Sequence, residues 1–288
     1  MTFKLKDHPT LLIATDSDTF DLSLWINEGY TTHLLTRATL RSIEDAADDL
    51  ESSDRYAIIA FGSAAAAALQ FATQPSRQLQ AVAAYYPPEL PSSAVHPDVH
   101  TLLHLCESAP FSTPVTQKTR VRLYAAFPGF ANTTAPAFDR IAHSLAFSRT
   151  LSLLRATIGP PMVDLESVWD EHLMCEFAER DAKRTLSTMV EHPYVNHVPT
   201  LTGGVGHDEL YRFYKDHFIP NNPPSLKMTL VSRTVGSDRI VDEMVVTFRH
   251  TTEIQWMLPG VKPTDKLVEV ALVSIICIRG GKLYHEHI

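Results

Sequence analysis

The run Gly159-Pro160-Pro161 constrains this chain more than any other feature. It lies just behind residues 138–156, where Ile141, Ala142, Leu145, Ala146, Leu151 and Leu154 fall at helical spacing on one stripe. Proline has no N–H to donate, and its ring clashes with the preceding turn, so two prolines after a glycine end that helix. The patterns on the two sides of the break differ in kind. We therefore expect two domains, residues 1–158 and 163–288, each large enough for a modest core.

Upstream, short apolar runs alternate with helical stretches. Strands are predicted over residues 11–14, 32–35, 56–61 and 81–86. Between them lie helices over 20–27 and 42–50, the latter capped by Ser42, and a run of five alanines at 64–68. Strands and helices in alternation predict an α/β lobe, a parallel sheet covered on both faces. Downstream, helices over 163–178, 181–190 and 207–218 precede strands over 227–234, 239–251, 267–279 and 282–288. Residues 194–199 read as a loop or short strand and 202–206 as a tight turn; Gly280-Gly281 is a hairpin turn. That order predicts an α+β cone, three helices against a curved antiparallel sheet.

Composition narrows the partners. A net charge of −8 with no basic cluster argues against nucleic acid or an anionic membrane. No stretch is long enough to span a bilayer, and the N-terminus lacks the apolar run of a signal peptide. The three cysteines are far apart in apolar settings, as in a reducing compartment, so a cytoplasmic protein is expected.

Residues 58–68, with Ala83-Ala84-Tyr85-Tyr86-Pro87 and residues 124–154, resemble the dienelactone hydrolase branch of the α/β-hydrolases. The resemblance implies a nucleophile on a sharp strand-to-helix turn, a histidine base and an acid. Gly62 stands at the nucleophile position, Pro128 in Pro128-Gly129-Phe130 at the base, and Ala109 near the acid. Ser63 is one residue past the turn, and a serine without a base is a weak nucleophile. The lobe is thus expected to be degenerate, with an ester or lactone hydrolase as the remote alternative.

Four motifs in the second half, Leu201-Thr202-Gly203-Gly204, His250-Thr251, residues 259–264 and Gly281-Lys282-Leu283, together resemble the SnoaL-like branch of the nuclear-transport-factor-two-like superfamily. That branch holds polyketide cyclases, isomerases, dehydratases and non-catalytic binders, so the resemblance implies a fold rather than one reaction. It also implies an aspartate after the last strand. No aspartate follows that strand up to Ile288, so either the acid is missing or the sequence ends early, and an active site within these residues is expected to move the proton with other groups.

Eight of the fourteen histidines follow residue 162, which concentrates proton carriers in the second half. Alternation along residues 239–250 places Asp242, Met244, Val246, Phe248 and His250 on one face, an apolar wall with a polar group at each end. Asp242 and His250 are about 26 Å apart along that strand, too far to act on one atom. His250 and His197 are the expected catalytic residues, with His287 next. Trp169, Tyr194, Phe248, Trp256 and Asp242 are the expected substrate contacts. His285 and His287 share a strand face, but no carboxylate or cysteine pattern accompanies them, so no metal is expected. The expected function is cofactor-independent acid–base catalysis, a cyclisation, isomerisation or dehydration, on a hydrophobic polyketide- or terpenoid-like molecule. A ligand-binding or assembly module is the alternative. Homo-oligomers through the open face of the sheet are also expected.

Overall fold

The four inner strands of the first half are buried along most of their length and its two edge strands are not, which is how a parallel sheet covered on both faces reads. The computed structural model describes residues 8–50, 54–109, 117–159 and 163–288. It divides into two compact units, Met1–Met162 and Val163–Ile288. The first unit's last helix, Arg140–Thr157, is followed by Gly159 at φ +80°. Pro160 and Pro161 of the expected break lie outside the described residues.

In the first unit, β1 (Thr10–Thr15), β2 (Thr31–Thr36), β3 (Tyr56–Phe61), β4 (Leu79–Tyr85), β5 (His100–Cys106) and β6 (Thr119–Tyr124) form one all-parallel sheet in the order β2-β1-β3-β4-β5-β6. Helices α1 (Ser23–Asn27), α2 (Leu40–Asp48), α3 (Ser63–Phe71) and α4 (Arg140–Thr157) connect and cover it. Two apolar clusters follow from strand alternation. Leu11, Ile13, Ile59 and Tyr85 pack with Leu151 and Leu154 of α4, and Leu12, Ile58 and Val82 pack with Ile43 of α2 and Ala64 and Ala68 of α3. Ser42 is not the cap of α2. Thr39 is, and its hydroxyl accepts from the Ser42 N–H while the Ser42 hydroxyl accepts from the Thr39 N–H.

The second unit contains α5 (Leu165–Leu173), α6 (Ala182–Ser187), β7 (Met189–His197), β8 (Thr202–Val205), α7 (Gly206–Arg212), β9 (Lys227–Val235), β10 (Arg239–Arg249), β11 (Leu267–Arg279) and β12 (Lys282–His287). Asp164 and Asp181 cap α5 and α6 through their carboxylates. Two expectations need correction here. Residues 189–197 are one strand, so the helix expected up to residue 190 ends earlier, and of the loop or short strand expected over 194–199 the strand reading holds as far as His197. The six-stranded sheet, ordered β8-β7-β12-β11-β10-β9, is mixed rather than antiparallel, because β7 runs parallel to β12. Pro193 cannot donate to a ladder, and the β7–β12 register is irregular between Met189 and Tyr194, where it sits. Helices α5 and α7 each continue as wider π-helical turns, Met174–Glu179 and Phe213–Phe218.

Candidate functional site

Strand β10 alternates as its sequence predicts: Ile240, Asp242, Met244, Val246 and Phe248 are buried. With Leu272 and Ser274 of β11, Met244 and Val246 form one wall of a cavity in the second unit. Trp169, Phe177, Phe218 and Trp256 supply aromatic surface, and Glu176, His197 and Ser274 are the polar groups among mostly apolar lining. An apolar cavity with a few placed polar groups is the usual form of a small-molecule site.

The imidazole of His197 is only 3 % exposed. Its ring lies 4.9 Å from Trp256, 5.5 Å from Phe213 and 5.9 Å from Phe218, centre to centre, so aromatic packing fixes its plane. Nδ1 is 3.3 Å from the Thr202 carbonyl, which can only accept, so Nδ1 carries the proton. Nε2 then presents a lone pair, and it has no partner among the described residues. Burial pushes this histidine below its usual range, although Glu286 and the Thr202 carbonyl both favour the charged form. At neutral pH it is an unprotonated base.

The Thr202 carbonyl is placed by the β7–β8 hairpin, in which His197 pairs with Thr202 and Asn196 with Gly203. The Thr200 and Thr202 hydroxyls both donate to the Trp256 carbonyl, fastening the turn to the cavity wall. Gly203 takes φ +131°, and a Cβ there would stand 2.0 Å from the Val195 carbonyl oxygen. Gly203→Ala should therefore cost about 1–3 kcal/mol of second-unit stability, read as a lower midpoint in chemical denaturation. An unchanged midpoint would show that the hairpin can shift freely.

Beside the cavity lies a buried group that the sequence reading missed. His172 Nε2 stands 3.1 Å from a carboxylate oxygen of Glu176 and 3.1 Å from one of Glu286, all three residues being buried. The Thr188 hydroxyl donates to the Thr185 carbonyl, so it accepts from His172 Nδ1–H at 2.6 Å. Both ring nitrogens thus act as donors. Burial opposes the charge on His172, but Glu176 and Glu286 outweigh it and hold the ring protonated up to about 10. One imidazolium cannot balance two carboxylates. Burial, with the neighbouring Glu286 charge, raises the Glu176 carboxyl against the lowering pull of His172. Tyr214 donates to Glu286 at 3.3 Å, and burial together with both glutamates keeps its phenol un-ionised. His172, Glu176 and Glu286 offer one ligand atom each within 4.8 Å of one another, so they are also the described residues best arranged to hold a metal ion.

The other expected site residues fall elsewhere. Trp169 and Trp256 line the cavity, whereas Phe248 is plain core. The carboxylate of Asp242 is taken up by Arg233, at 2.8 and 2.9 Å, and by the indole N–H of Trp169 at 2.9 Å, so it orients a wall residue and has no free face for a ligand. Strand β10 ends at Arg249, and His250 is held beyond it by the backbone of residues 264–266 and by the Thr264 hydroxyl at 3.2 Å, away from the cavity lining. In β12, Glu286 faces His172, so strand parity sends His285 and His287 to the other face. There they stack with Tyr194, with ring centres 4.8 to 5.4 Å apart, and neither Tyr194 nor His287 lines the cavity.

No family model and no curated protein matches this chain. Among solved structures it is similar, over part of its length, to TsrD from Streptomyces laurentii, at 18 % identity and a TM-score of 0.34, covering 43 % of this chain and 88 % of that one. A putative SnoaL-like polyketide cyclase from Jannaschia sp. CCS1 aligns at 18 % identity and a TM-score of 0.33, covering 45 % and 89 %. A putative ketosteroid isomerase from Kribbella flavida aligns at 9 % identity and a TM-score of 0.30, covering 42 % and 73 %. Likenesses this remote carry no weight for the chemistry, which rests on the cavity's own residues.

Proposed function

We propose that the second unit is an acid–base catalyst that moves a proton next to a carbonyl group of a hydrophobic small molecule. The unpartnered Nε2 of His197, buried at the wall of an apolar cavity, carries this reading. A lone pair kept from water and from protein donors is available to a ligand. His197 takes a proton from the carbon beside the carbonyl, and the protonated Glu176 carboxyl donates to the carbonyl oxygen as the enol forms. Return of the proton from His197 to another carbon, with the enol O–H going back to Glu176, isomerises the molecule; attack of the enol carbon on a second carbonyl closes a ring, and loss of a β-hydroxyl as water, protonated by His197, gives the dehydratase outcome. The pair needs no cofactor for these steps. Trp169, Phe177, Phe218 and Trp256 favour a flat or polycyclic apolar substrate.

Hydrogen–deuterium exchange beside the carbonyl of hydrophobic ketones such as 2-tetralone, followed by proton NMR in heavy water, tests the proton step itself. The protein should accelerate exchange, and His197→Ala should reduce that rate by about 10²–10⁴-fold. Ser63→Ala, in the other unit, should leave it unchanged. Ketones that bind in the cavity without faster exchange would instead make the unit a ligand-binding module.

A further inference from the structure

The first unit has an open cavity of its own, about 380 Å³, at the carboxyl ends of its parallel strands. Asp16 follows β1, Gly62 follows β3, Tyr86 follows β4 and Cys106 closes β5, and all four line it. Ligands of open α/β sheets bind at this edge, outside the carboxyl ends of the strands. Gly62 takes φ +63°, ψ −132° at the sharp turn into α3. A Cβ on Gly62 would stand 2.2 Å from Oδ2 of Asp16. The two oxygens of Asp16 accept from the Ser63 N–H at 2.7 Å and the Ala64 N–H at 2.9 Å. The backbone donors at this turn are therefore already filled by a side chain of the protein, and an ester carbonyl could not be polarised there. His104, the histidine on β5, is committed to the Tyr124 and Thr150 hydroxyls at 2.7 and 2.9 Å, and its burial, with help from Arg149, lowers it to about 3. It does not line this cavity.

Asp16 is nevertheless only half used. Each carboxylate oxygen has two lone-pair sites, and one per oxygen goes to the backbone. The N-terminus of α3 favours its negative charge. Asp16 is the only charged residue among those lining the cavity, and no arginine, lysine or histidine pairs with it among the described residues. Around it stand the Tyr86 ring and the apolar Pro87, Pro88, Leu105 and Pro128. An unpaired carboxylate at the edge of an apolar, aromatic-walled cavity suits a cation with an apolar body, which an aromatic face also attracts.

We infer that this cavity binds a small protonated amine with an apolar body, through Asp16, and performs no acyl transfer. The test titrates the full ¹⁵N-labelled protein with phenethylamine, 2-phenylethanol and phenylacetate, three probes of like shape and different charge. Phenethylamine should shift the Ser63 and Ala64 amide signals saturably and bind about 10–100-fold more tightly than the alcohol, with the carboxylate weakest. Asp16→Asn should reduce the amine to the alcohol's affinity. Ser108→Trp, at the exposed rim of the cavity, should weaken all three probes and keeps the inference testable if Asp16→Asn fails to fold. Equal affinity for amine and alcohol, tighter binding of phenylacetate, or no saturable shift of either amide would overturn the inference.

Discussion

His172→Leu should lower the stability of the second unit by about 3–5 kcal/mol and leave the first unit's unfolding unchanged. Among the described residues the imidazolium is the one cation at 3.1 Å from both Glu176 and Glu286, and none of the three is more than 3 % exposed. Removing it leaves two carboxyl groups facing each other without water. Leucine has about the right volume, so the loss measures charge more than packing. The pH dependence carries a definite sign. In the folded protein His172 is raised from 6.5 to about 10, so its stabilising contribution is complete below pH 6.5 and is lost as pH rises towards 10. Wild-type denaturation midpoints for this unit should fall across that window, by at most about 1.4 kcal/mol per pH unit from this group. The leucine variant should lose that dependence. Replacing His172, Glu176 and Glu286 together with leucine or methionine should restore most of the stability, since no buried charge then remains. Denaturation followed by hydrogen exchange reads each unit separately, and a His172→Leu protein of wild-type stability would show that the group is not charged.

Glu176→Gln should reduce ketone exchange by about 10²–10⁴-fold while leaving ligand affinity nearly intact. Glutamine keeps the shape of the group but has no acidic proton to give. The pH profile separates this role from a structural one. His197 must be unprotonated, and burial lowers it, so the acid limb falls below pH 6.5. Glu176 must be protonated, and burial raises it above 4.5, so activity declines on the alkaline side as the carboxyl and its partners release protons. The glutamine variant should keep the acid limb and lose the alkaline one. A variant with both limbs and full rate would remove Glu176 from the proton transfer.

Periodicity revealed a good deal of this molecule. The buried face of β10 could be written from its sequence, because two-residue alternation survives whatever packs on it. The alternating first half likewise gave the parallel sheet. The buried triad was partly legible. Leu165, Trp169, His172 and Glu176 fall at i, i+4, i+7 and i+11 of one helix, a stripe that includes two titratable groups. The third member could not be found in that way, because Glu286 reaches His172 only through tertiary packing of α5 and its π-helical continuation on β12. Parity misled the reading of that strand. His285 and His287 do share a face, but a single-residue phase decides whether that face or Glu286's is the inner one. For His250 the limit was where the strand ends: one residue beyond the ladder, the backbone turns to residues 264–266 and takes the imidazole with it.

The contact between Gly62 and Asp16 also couples two positions 46 apart in the chain (62 − 16) in any course of mutation. A serine or cysteine introduced at position 62 meets a carboxylate oxygen at 2.2 Å, while shortening of Asp16 alone merely frees two backbone donors. A side chain at position 62 obliges the Asp16 carboxylate to move off the Ser63 and Ala64 N–H groups, so each position sets the cost of changing the other. Effects at the two sites should therefore be strongly non-additive. This steric contact ties the choice of residue 62 to the carboxylate that holds the Ser63 and Ala64 N–H groups.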